Sequence, residues 1–587
     1  MPTLGNVNSN LTLTQTHYKV TSTIFIESGA TLTIPSGTHI WIGPNVQIIG
    51  KPGSKIYVLG VAPPFDWDYQ IYTKSTVFFN RLNPSQEWKG IWLQGDDNII
   101  EYAKFNGGRH GLMVQSSNNQ LYQLRFTNGW RGIDSYANQN HIGEKSTFTT
   151  EYITVDSMSS AGIVLYNARA FNFLAVRSRH NAPEGIYQLF STLDNYNSGL
   201  LQNNNIGWRI LSGSKVGEYL KWNKHIRYVV FKNNNTGISS STNEMVYLGE
   251  YGESQRALSD FINNSSWDIY RSTTQLNMFY ARGCYFDPQP AKVFGGVWHD
   301  DQRSTPVPYF EQPEMYEFDK DYLEINSSSK YVENEVIKNL TKENALNKLK
   351  ILAQKRFDLN TINESDLNLL DELSFNPRKE FSNEISDYSS MIYANYLLSL
   401  KVNEETISKL EILVNSKESD SNVRDELNMY LINGNVRLNR ANHSLSLIEK
   451  QLEKTLDNVE LVSELNFIKE SILVNEETNL LVQKNDIKKG KVEQVDSKDE
   501  VIVLSIQTYP NPFNPTTTIQ VNLNKDSNLK IELYNLQGQL IKTVFGGFKS
   551  SGIHSFKLDL SSYASGMYLY KVSANQTVQY GKITLTK

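Results

Sequence analysis

Residues 106–133, NGGRHGLMVQSSNNQLYQLRFTNGWRGI, contain one full unit of the pattern that decides the fold. A glycine followed by an apolar residue appears at Gly111-Leu112 and returns 21 residues later at Gly132-Ile133. A polar turn precedes each pair, and residues 122–126 alternate between polar and apolar side chains as a half-buried strand does. The segment therefore predicts short strands joined by tight corners.

The same phrase recurs through the first half of the chain. Its occurrences are Gly90-Ile91, Gly111-Leu112, Gly132-Ile133, Gly162-Ile163, Gly185-Ile186, Gly207-Trp208 and Gly237-Ile238. A period of roughly 20–30 residues is typical of a solenoid, whose stacked units share one core. We predict a right-handed parallel β-helix with asparagine ladders at its corners. A leucine-rich repeat is the competing fold, but its Leu-x-x-Leu-x-Leu phrase is missing.

The start of this zone adds a resemblance. Residues 24–38 read IFIESGATLTIPSGT, and Trp88-Lys89-Gly90-Ile91 follows later. Over roughly residues 15–300 the chain resembles secreted β-helix proteins of the pectate-lyase-like kind. That resemblance implies a fold and no particular activity, because this architecture hosts lyases, hydrolases, adhesins and passive stalks.

Composition excludes several classes of protein. The 587 residues carry a net charge of -5, which does not indicate a nucleic-acid binder. Cys284 is the only cysteine, so neither an intramolecular disulfide nor a multi-cysteine zinc site can form. No apolar run reaches the roughly 18 residues of a transmembrane segment. Met1-Pro2-Thr3 does not begin a signal peptide, and our hypothesis is that the sequence is a trimmed form.

The distribution of glycine and tryptophan along the sequence divides the chain into a β zone, an α zone and a second β zone. All nine tryptophans lie between Trp41 and Trp298, and Gly434 and Gly490 are the only glycines of residues 331–500. We predict a β-helix over residues 1–330, a helical spacer or small α-solenoid over 331–483, a linker over 484–500 and a β-sandwich over 501–587. Within the α zone the predicted helices cover residues 343–352, 382–402, 404–416, 421–433, 440–455 and 457–474, with a break at Asn433-Gly434-Asn435.

The last zone opens with YPNPFNPTTTI at residues 509–519 and contains LKIELYNLQGQLI at 529–541 and LDLSSYASGMYLYKV at 558–572. Alternation places Leu529, Ile531 and Leu533 on one side of a strand, and residues 535–538 predict a hairpin turn. These ordered phrases resemble type A C-terminal sorting domains of the type IX secretion system, which are immunoglobulin-like sandwiches.

That resemblance implies a route of export and a set of signal residues. Cargo of this kind crosses the periplasm of a Gram-negative bacterium and reaches the outer-membrane surface or the medium. The implied partners are the outer-membrane translocon and a sortase, and the tail is usually removed. The matching positions are Pro510, Asn511, Pro512, Gly538, Gly566, Tyr568, Lys582 and Lys587.

Chemistry is sparse in the sequence. No nucleotide-binding glycine loop, zincin motif or nucleophile elbow is present, and the nine histidines show no metal-ligand spacing. Alternation in residues 173–180 points Arg177 and Arg179 outward if Leu174 and Val176 point inward. Lys104, Arg125 and Asp156 project from nearby rungs by the same argument. Such a file resembles the outward groove of β-helix polysaccharide lyases, although charged outward positions are more often a solvated face.

Two further sets of residues are candidates for binding. Tryptophans at 67, 88, 92, 130 and 208 could stack on sugar rings, but core packing is the commoner role. Asp300-Asp301 beside Trp298-His299 is a candidate cation site, although Ca²⁺ has no support beyond these residues and we predict no cofactor or metal. We therefore expect a binding, adhesion or surface-architecture protein that contacts extracellular polysaccharide. The alternatives are an enzyme that degrades acidic glycans, as a lyase or glycoside hydrolase, and a subunit of an extracellular filament or sheath.

Overall fold

The computed structural model forms two compact units, Met1–Asn485 and Asp486–Lys587. It describes residues 1–61, 76–136, 146–217, 226–242, 246–248, 259–272, 279–281, 284–295, 297–298, 341–354, 364–375, 383–399, 402–417, 422–455, 458–488, 504–511, 513–523, 527–535, 540–550, 552–574 and 577–586. The predicted cation site at residues 299–301 and Trp67 lie outside these residues.

The first unit contains a coil of parallel strands with three faces. Strands of the first face are Leu11–Thr12, Thr31–Pro35, Lys55–Leu59, Ile99–Asn106, Asn119–Thr127, Ser146–Glu151, Ala168–Leu174, Thr192–Leu193, Tyr196–Asn197, Lys215–Val216, Ile226–Arg227, Val246–Tyr247, Phe279–Tyr280 and Val297–Trp298. The two long strands Ile99–Asn106 and Asn119–Thr127 continue around the corner into the second face, because each pairs with strands of both faces.

The other two faces follow in chain order within each rung. The second face contains His17–Val20, His39–Ile42, Val77–Arg81, Thr154–Asp156, Arg177–Arg179, Leu200–Gln202, Val230–Lys232, Asp260–Ile262 and Tyr285–Asp287. The third face contains Ile24–Ile26, Gln47–Gly50, Gly90–Leu93, His110–Val114, Arg131–Ser135, Ile163–Tyr166, Glu184–Leu189, Ile206–Ile210, Thr236–Ser240, Trp267–Arg271 and Val293–Phe294. Rung after rung of parallel pairing confirms the predicted β-helix architecture, and its right-handed sense stays a prediction.

The corner between the second and third faces carries the predicted asparagine ladder. Asn181, Asn204, Asn234 and Asn264 are all buried, and the side-chain amides of the first three each donate to the Oδ1 of the next asparagine at 3.2–3.3 Å. The same oxygens accept the backbone N–H of the preceding asparagine at 2.9–3.1 Å. The ladder therefore satisfies polar groups that a tight corner would otherwise bury without partners.

Glycine is required where rungs approach closely at the start of the third face. A Cβ on Gly185 would lie 2.5 Å from the carbonyl oxygen of Gly207, and one on Gly207 would lie 2.5 Å from that of Gly237. No side chain fits such a gap without moving the backbone. This contact explains the glycine-apolar phrase that predicts the solenoid.

Seven helices follow the coil in the described residues: α1 Lys342–Gln354, α2 Glu364–Phe375, α3 Asn383–Ser399, α4 Glu404–Asn415, α5 Asn422–Arg437, α6 Ala441–Lys454 and α7 Val459–Lys488. Three details of the prediction are wrong. Asn433-Gly434-Asn435 lies inside α5 and is buried, because Gly434 fits against Ile407 and Leu410. α7 extends into the expected linker, and α2 was not predicted.

The helices pack on the outward side of the third face. One hydrophobic cluster joins Trp92, Met113, Tyr166 and Tyr187 of the strands to residues of α1 through α7. Phe467 of α7 is in ring contact with Tyr187 at 4.6 Å. The helical segment and the coil thus share a core, while the domain boundary predicted at residue 330 stays a prediction.

α7 runs along the axis of the coil, against the order of the rungs. Its contacts from end to end are Glu464 with Ser241, Glu470 with Arg131, Asn475 with Gln115, and Asn485 with Glu27. A helix rises roughly 1.5 Å per residue and neighbouring strands lie roughly 4.8 Å apart, so about three residues pass each rung. A helix of 30 residues is therefore long enough to cross most of the third face.

The second unit contains two antiparallel sheets. Leu504–Tyr509, Thr516–Leu523 and Gly552–Asp559 form one, and Leu540–Lys549, Ser527–Tyr534, Gly566–Ala574 and Thr577–Leu585 form the other. Leu529, Ile531 and Leu533 are buried between the sheets, as predicted from alternation. Ser527–Tyr534 pairs with Leu540–Lys549 on either side of the predicted hairpin turn, most of which lies outside the described residues.

Candidate functional site

Outward residues of the second face form a continuous file along the coil. The strand register pairs His17 with His39, His39 with Phe78, Phe78 with Lys104, Lys104 with Arg125, Arg125 with Thr154, and Thr154 with Arg177. Six steps of roughly 4.8 Å make this file about 29 Å long. We call it the second-face file.

Three of the four residues predicted as catalytic candidates belong to this file. Lys104, Arg125 and Arg177 each stand between buried neighbours of their strands and are themselves only partly buried. Burial lowers the pKa of Lys104, and the charge of Arg125 beside it lowers that pKa further. Like charges held this close favour an anionic partner. Their catalytic role stays a prediction.

Arg179, the fourth candidate, lies in the neighbouring file and is paired. Its guanidinium lies 2.8 Å from Asp156, and His180 Nδ1 lies 3.1 Å from the same carboxylate. Burial alone would raise the pKa of Asp156, but a hydrogen bond from Ser157 and the charge of Arg179 hold it below its usual value. This carboxylate therefore neutralises Arg179 more than it neutralises the second-face file.

One assumption about residues 173–180 is wrong, although its conclusion holds. Val176 is buried as expected, whereas Leu174 is only partly buried and Phe173 points into the core instead. The alternation changes phase because Ala175 adopts a left-handed backbone conformation with φ of 51°. Tyr102, Gln123 and Tyr152 have the same conformation at the same corner. Sequence alternation does not signal such a corner when the residue is not glycine.

Tyrosines line this corner beside the second-face file. The rings of Tyr102 and Tyr122 are 5.3 Å apart and those of Tyr122 and Tyr152 are 5.8 Å apart, all edge to face. All three are partly exposed. Residue patterns did not single them out, and the signal that could have found them is a tyrosine in three successive repeats.

The tryptophans considered as sugar platforms are mostly internal. Trp88, Trp92 and Trp208 are fully buried, and Trp92 lies under the helices. Trp130 is half-buried and stacks against Arg131, whose guanidinium carbon is 3.8 Å from the ring centroid. The packing role is therefore the correct one for the three buried indoles.

The covered third face holds a separate polar cluster. Asp134 accepts hydrogen bonds from His110 at 2.7 Å, Arg131 at 3.2 Å and Tyr136 at 3.2 Å. Burial lowers the pKa of His110, whereas the charge of Arg131 and the hydrogen bond from His110 outweigh burial and lower the pKa of Asp134. This network satisfies charges at the boundary with α7 and is closed to a large ligand. No three His, Cys, Asp or Glu side chains in the described ranges gather closely enough to bind a metal ion.

In the second unit, Asn511, one of the predicted signal residues, forms hydrogen bonds within the sandwich. Its Nδ2 donates to the carbonyl of Lys582 at 3.0 Å, and its Oδ1 accepts from the N–H of Thr584 at 2.9 Å. Tyr568 donates to the carbonyl of Ala564 at 2.6 Å. Asn511 thus ties the start of the sandwich to its last strand. Pro512, Gly538 and Lys587 lie outside the described residues.

One comparison with known proteins identifies a domain within the second unit. A family model described as a secretion system C-terminal sorting domain matches residues 507–586. No curated protein matches the chain. Among solved structures, a mutant of the periplasmic alginate epimerase AlgG is similar with 11% identity and a TM-score of 0.21, over 52% of this chain and 77% of that one. The fold assignment rests on the strand pairing above rather than on this likeness.

The described helices include none that is long and apolar enough to span a membrane. The match covers the ordered phrases that resemble sorting domains, and these residues form one compact sandwich. Residues 507–586 therefore match a secretion system C-terminal sorting domain, which indicates an exported protein, and a parallel β-helix region precedes this domain in the chain.

Proposed function

We propose that this protein binds acidic polysaccharide at the bacterial surface or in the medium, through the second-face file. The observation that carries the proposal is the register that aligns Lys104, Arg125 and Arg177 in one file, with Thr154 on the rung between the two arginines. Cations held one and two strand spacings apart match a linear chain with regularly spaced carboxylates or sulfates. The tyrosine corner beside it supplies aromatic edges and hydroxyl groups for sugar rings.

The type IX route of export is also a proposal, because the matching family model names only a secretion system. We infer that a Gram-negative bacterium passes the chain through its outer-membrane translocon, and that a sortase removes an immunoglobulin-like tail. Deleting residues 501–587 should leave the first unit folded and retained in the periplasm, as measured by fractionation and protease protection of cells. Arrival of the truncated chain at the surface would contradict this route.

Binding is tested with the purified full chain on acidic and neutral glycans. We expect binding to polygalacturonate and dextran sulfate but not to neutral dextran. Replacing Lys104, Arg125 and Arg177 together by alanine should weaken binding by roughly 3-fold to 150-fold, because each ionic contact at the surface contributes about 0.2–1 kcal/mol. Lys232→Ala, on the same face but in the neighbouring file, is the matched control. Equal binding by the triple variant would refute the proposal.

A lyase is the second candidate, favoured by the lowered pKa of Lys104. A lysine that loses its proton more readily can act as a general base next to arginines that neutralise a uronate carboxylate. Incubation with acidic polysaccharides would then give unsaturated products that absorb in the ultraviolet. Absorbance that is lost in Lys104→Ala or Arg177→Ala would establish the enzyme, and binding without product would support the binding protein. Adhesion and surface architecture are the wider roles that binding would serve.

A further inference from the structure

The second-face file begins with rings rather than with cations. The rings of His17 and His39 are stacked at 4.8 Å with planes 5° apart, and those of His39 and Phe78 at 4.5 Å with planes 10° apart. Lys104 occupies the next position in register. Two imidazoles thus lie directly in line with the cationic row.

Stacking determines which atoms of the two imidazoles a ligand can contact. Rings stacked along the axis of the coil turn their faces to each other and their edges outward, so a ligand on this face meets ring nitrogens. His17 is exposed and His39 is partly exposed. The hydroxyl of Thr16 lies 3.0 Å from Nδ1 of His17. An outward imidazole edge donates one hydrogen bond when neutral and carries a positive charge when protonated.

The groups that face the two imidazoles are aromatic, hydroxyl or basic. His17 faces His39 and Thr16, His39 faces His17 and Phe78, and Lys19 and Trp41 occupy the neighbouring file. Neither imidazole forms an ion pair with a carboxylate in the described part of the chain. Burial lowers the pKa of His39, and the proximity of His17 lowers it further. A bound polyanion would supply the missing counter-charge.

We propose that His17 and His39 form an acid-activated subsite for polyanionic glycans, which extends the Lys104–Arg125–Arg177 row by two charges when both rings are protonated. The inference rests on the proposed function, since it needs a polyanion on this face. A polyanion that binds the protonated form more tightly must by linkage take up protons on binding. Affinity should therefore rise as the pH falls from 7.5 to 5.5.

The experiment must separate the effect of His17 and His39 from that of other titratable groups near the second-face file. Asp156 stays ionised across this range, because its pKa is lowered. His180 is another imidazole of the coil, several rungs away, where its Nδ1 lies 3.1 Å from the carboxylate of Asp156. His180→Gln is therefore the matched control for an imidazole on the same coil. Dextran sulfate is the probe, because its charge does not change between pH 5.5 and 7.5.

The experiment measures affinity of the full chain for dextran sulfate at both pH values and one ionic strength. We expect roughly threefold to tenfold tighter binding at pH 5.5. This ratio should fall to about one in the double variant His17→Gln, His39→Gln and should persist in His180→Gln. A second double variant, His17→Phe with His39→Phe, keeps the ring stack and removes the charges, so it must lose the ratio too.

Each outcome has one meaning. A ratio that persists in either double variant, or is absent from the native chain, overturns the subsite. Binding that survives replacement of Lys104, Arg125 and Arg177 overturns the proposed function instead. Thermal melting of every variant at both pH values shows that the folded chain is being compared.

Discussion

Each buried asparagine at the corner of the coil makes several hydrogen bonds to neighbouring rungs. Asn204 donates its amide to the carbonyl of Ser178 and to Asn234, while its Oδ1 accepts the backbone N–H of Asn181. Alanine at 204 would leave that N–H and the Oδ1 of Asn234 short of partners in a buried corner. Each unsatisfied group costs about 1–3 kcal/mol.

We therefore expect Asn204→Ala to lower the free energy of unfolding by about 2–4 kcal/mol, as measured by denaturant unfolding followed by near-ultraviolet circular dichroism. Asn205→Ala is the control, because its side chain is exposed next to the ladder. Equal stability of the two variants would show that the ladder is not a source of stability.

Glu464 should make stability depend on pH. Burial raises its pKa to about 7, although Ser241 donates a hydrogen bond to its Oε1 at 3.2 Å. The unfolded chain releases this proton near pH 4.5. Between these two pH values the folded chain keeps the proton on Glu464 and the unfolded chain does not. The free energy of unfolding therefore falls as the pH rises, and it stays lower above pH 7.

Glu464→Gln removes that loss. We expect the variant and the native chain to have similar stability at pH 4.5, and the variant to be more stable at pH 8 by up to about 3 kcal/mol. Melting temperatures from pH 4.5 to 8 measure the difference, which isolates this group from the other titrating residues. A constant difference across the range would mean that Glu464 does not titrate as described.

At the scale of elements, one large aromatic ring of α7 packs against the coil. Phe467 contacts Tyr166 at 5.6 Å and Tyr187 at 4.6 Å, and Arg131 lies 5.0 Å from its ring. Removing a buried phenylalanine costs about 3–5 kcal/mol. Phe467→Ala should therefore increase amide hydrogen exchange along α7. Leu473→Ala, on the exposed side of the same helix, is the control and should leave exchange nearly unchanged.

α5 shows why some element boundaries were predicted wrongly. Asn-Gly-Asn is normally a turn signal, because these residues favour local side-chain bonds and left-handed backbone. Here Asn433 instead exchanges two hydrogen bonds with Asn167 of the coil at 2.7 and 2.9 Å. A partner 266 residues away in sequence outweighs the local preference.

At the scale of the whole molecule, the helices complete the coil. Without them the third face would expose Trp92, Met113, Tyr166 and Tyr187, whose burial contributes about 1.5–3 kcal/mol each. Residues 1–330 expressed alone should therefore aggregate or bind a hydrophobic dye, whereas residues 1–488 should remain monomeric by size-exclusion chromatography. A soluble, monomeric and dye-free 1–330 would support the predicted spacer instead.

The sequence by itself determined the repeating unit, the asparagine corners and the sorting tail. These depend on contacts between adjacent rungs or strands, so they recur as local phrases that can be read in order. Alternation also predicted that Lys104, Arg125 and Arg177 point outward, because it decides which side chains of a strand face the core.

Only the tertiary structure decided which outward face is covered, and where the alternation changes phase. A strand exposed to solvent and a strand covered by a helix both alternate in the same way on the side that faces the core. Aromatic residues on the outer side are consistent with either a bound ligand or a packed helix. Which of the two applies depends on helices that begin after residue 340, through packing that no local phrase encodes. That packing buries the third face and leaves the cationic row of the second face partly exposed.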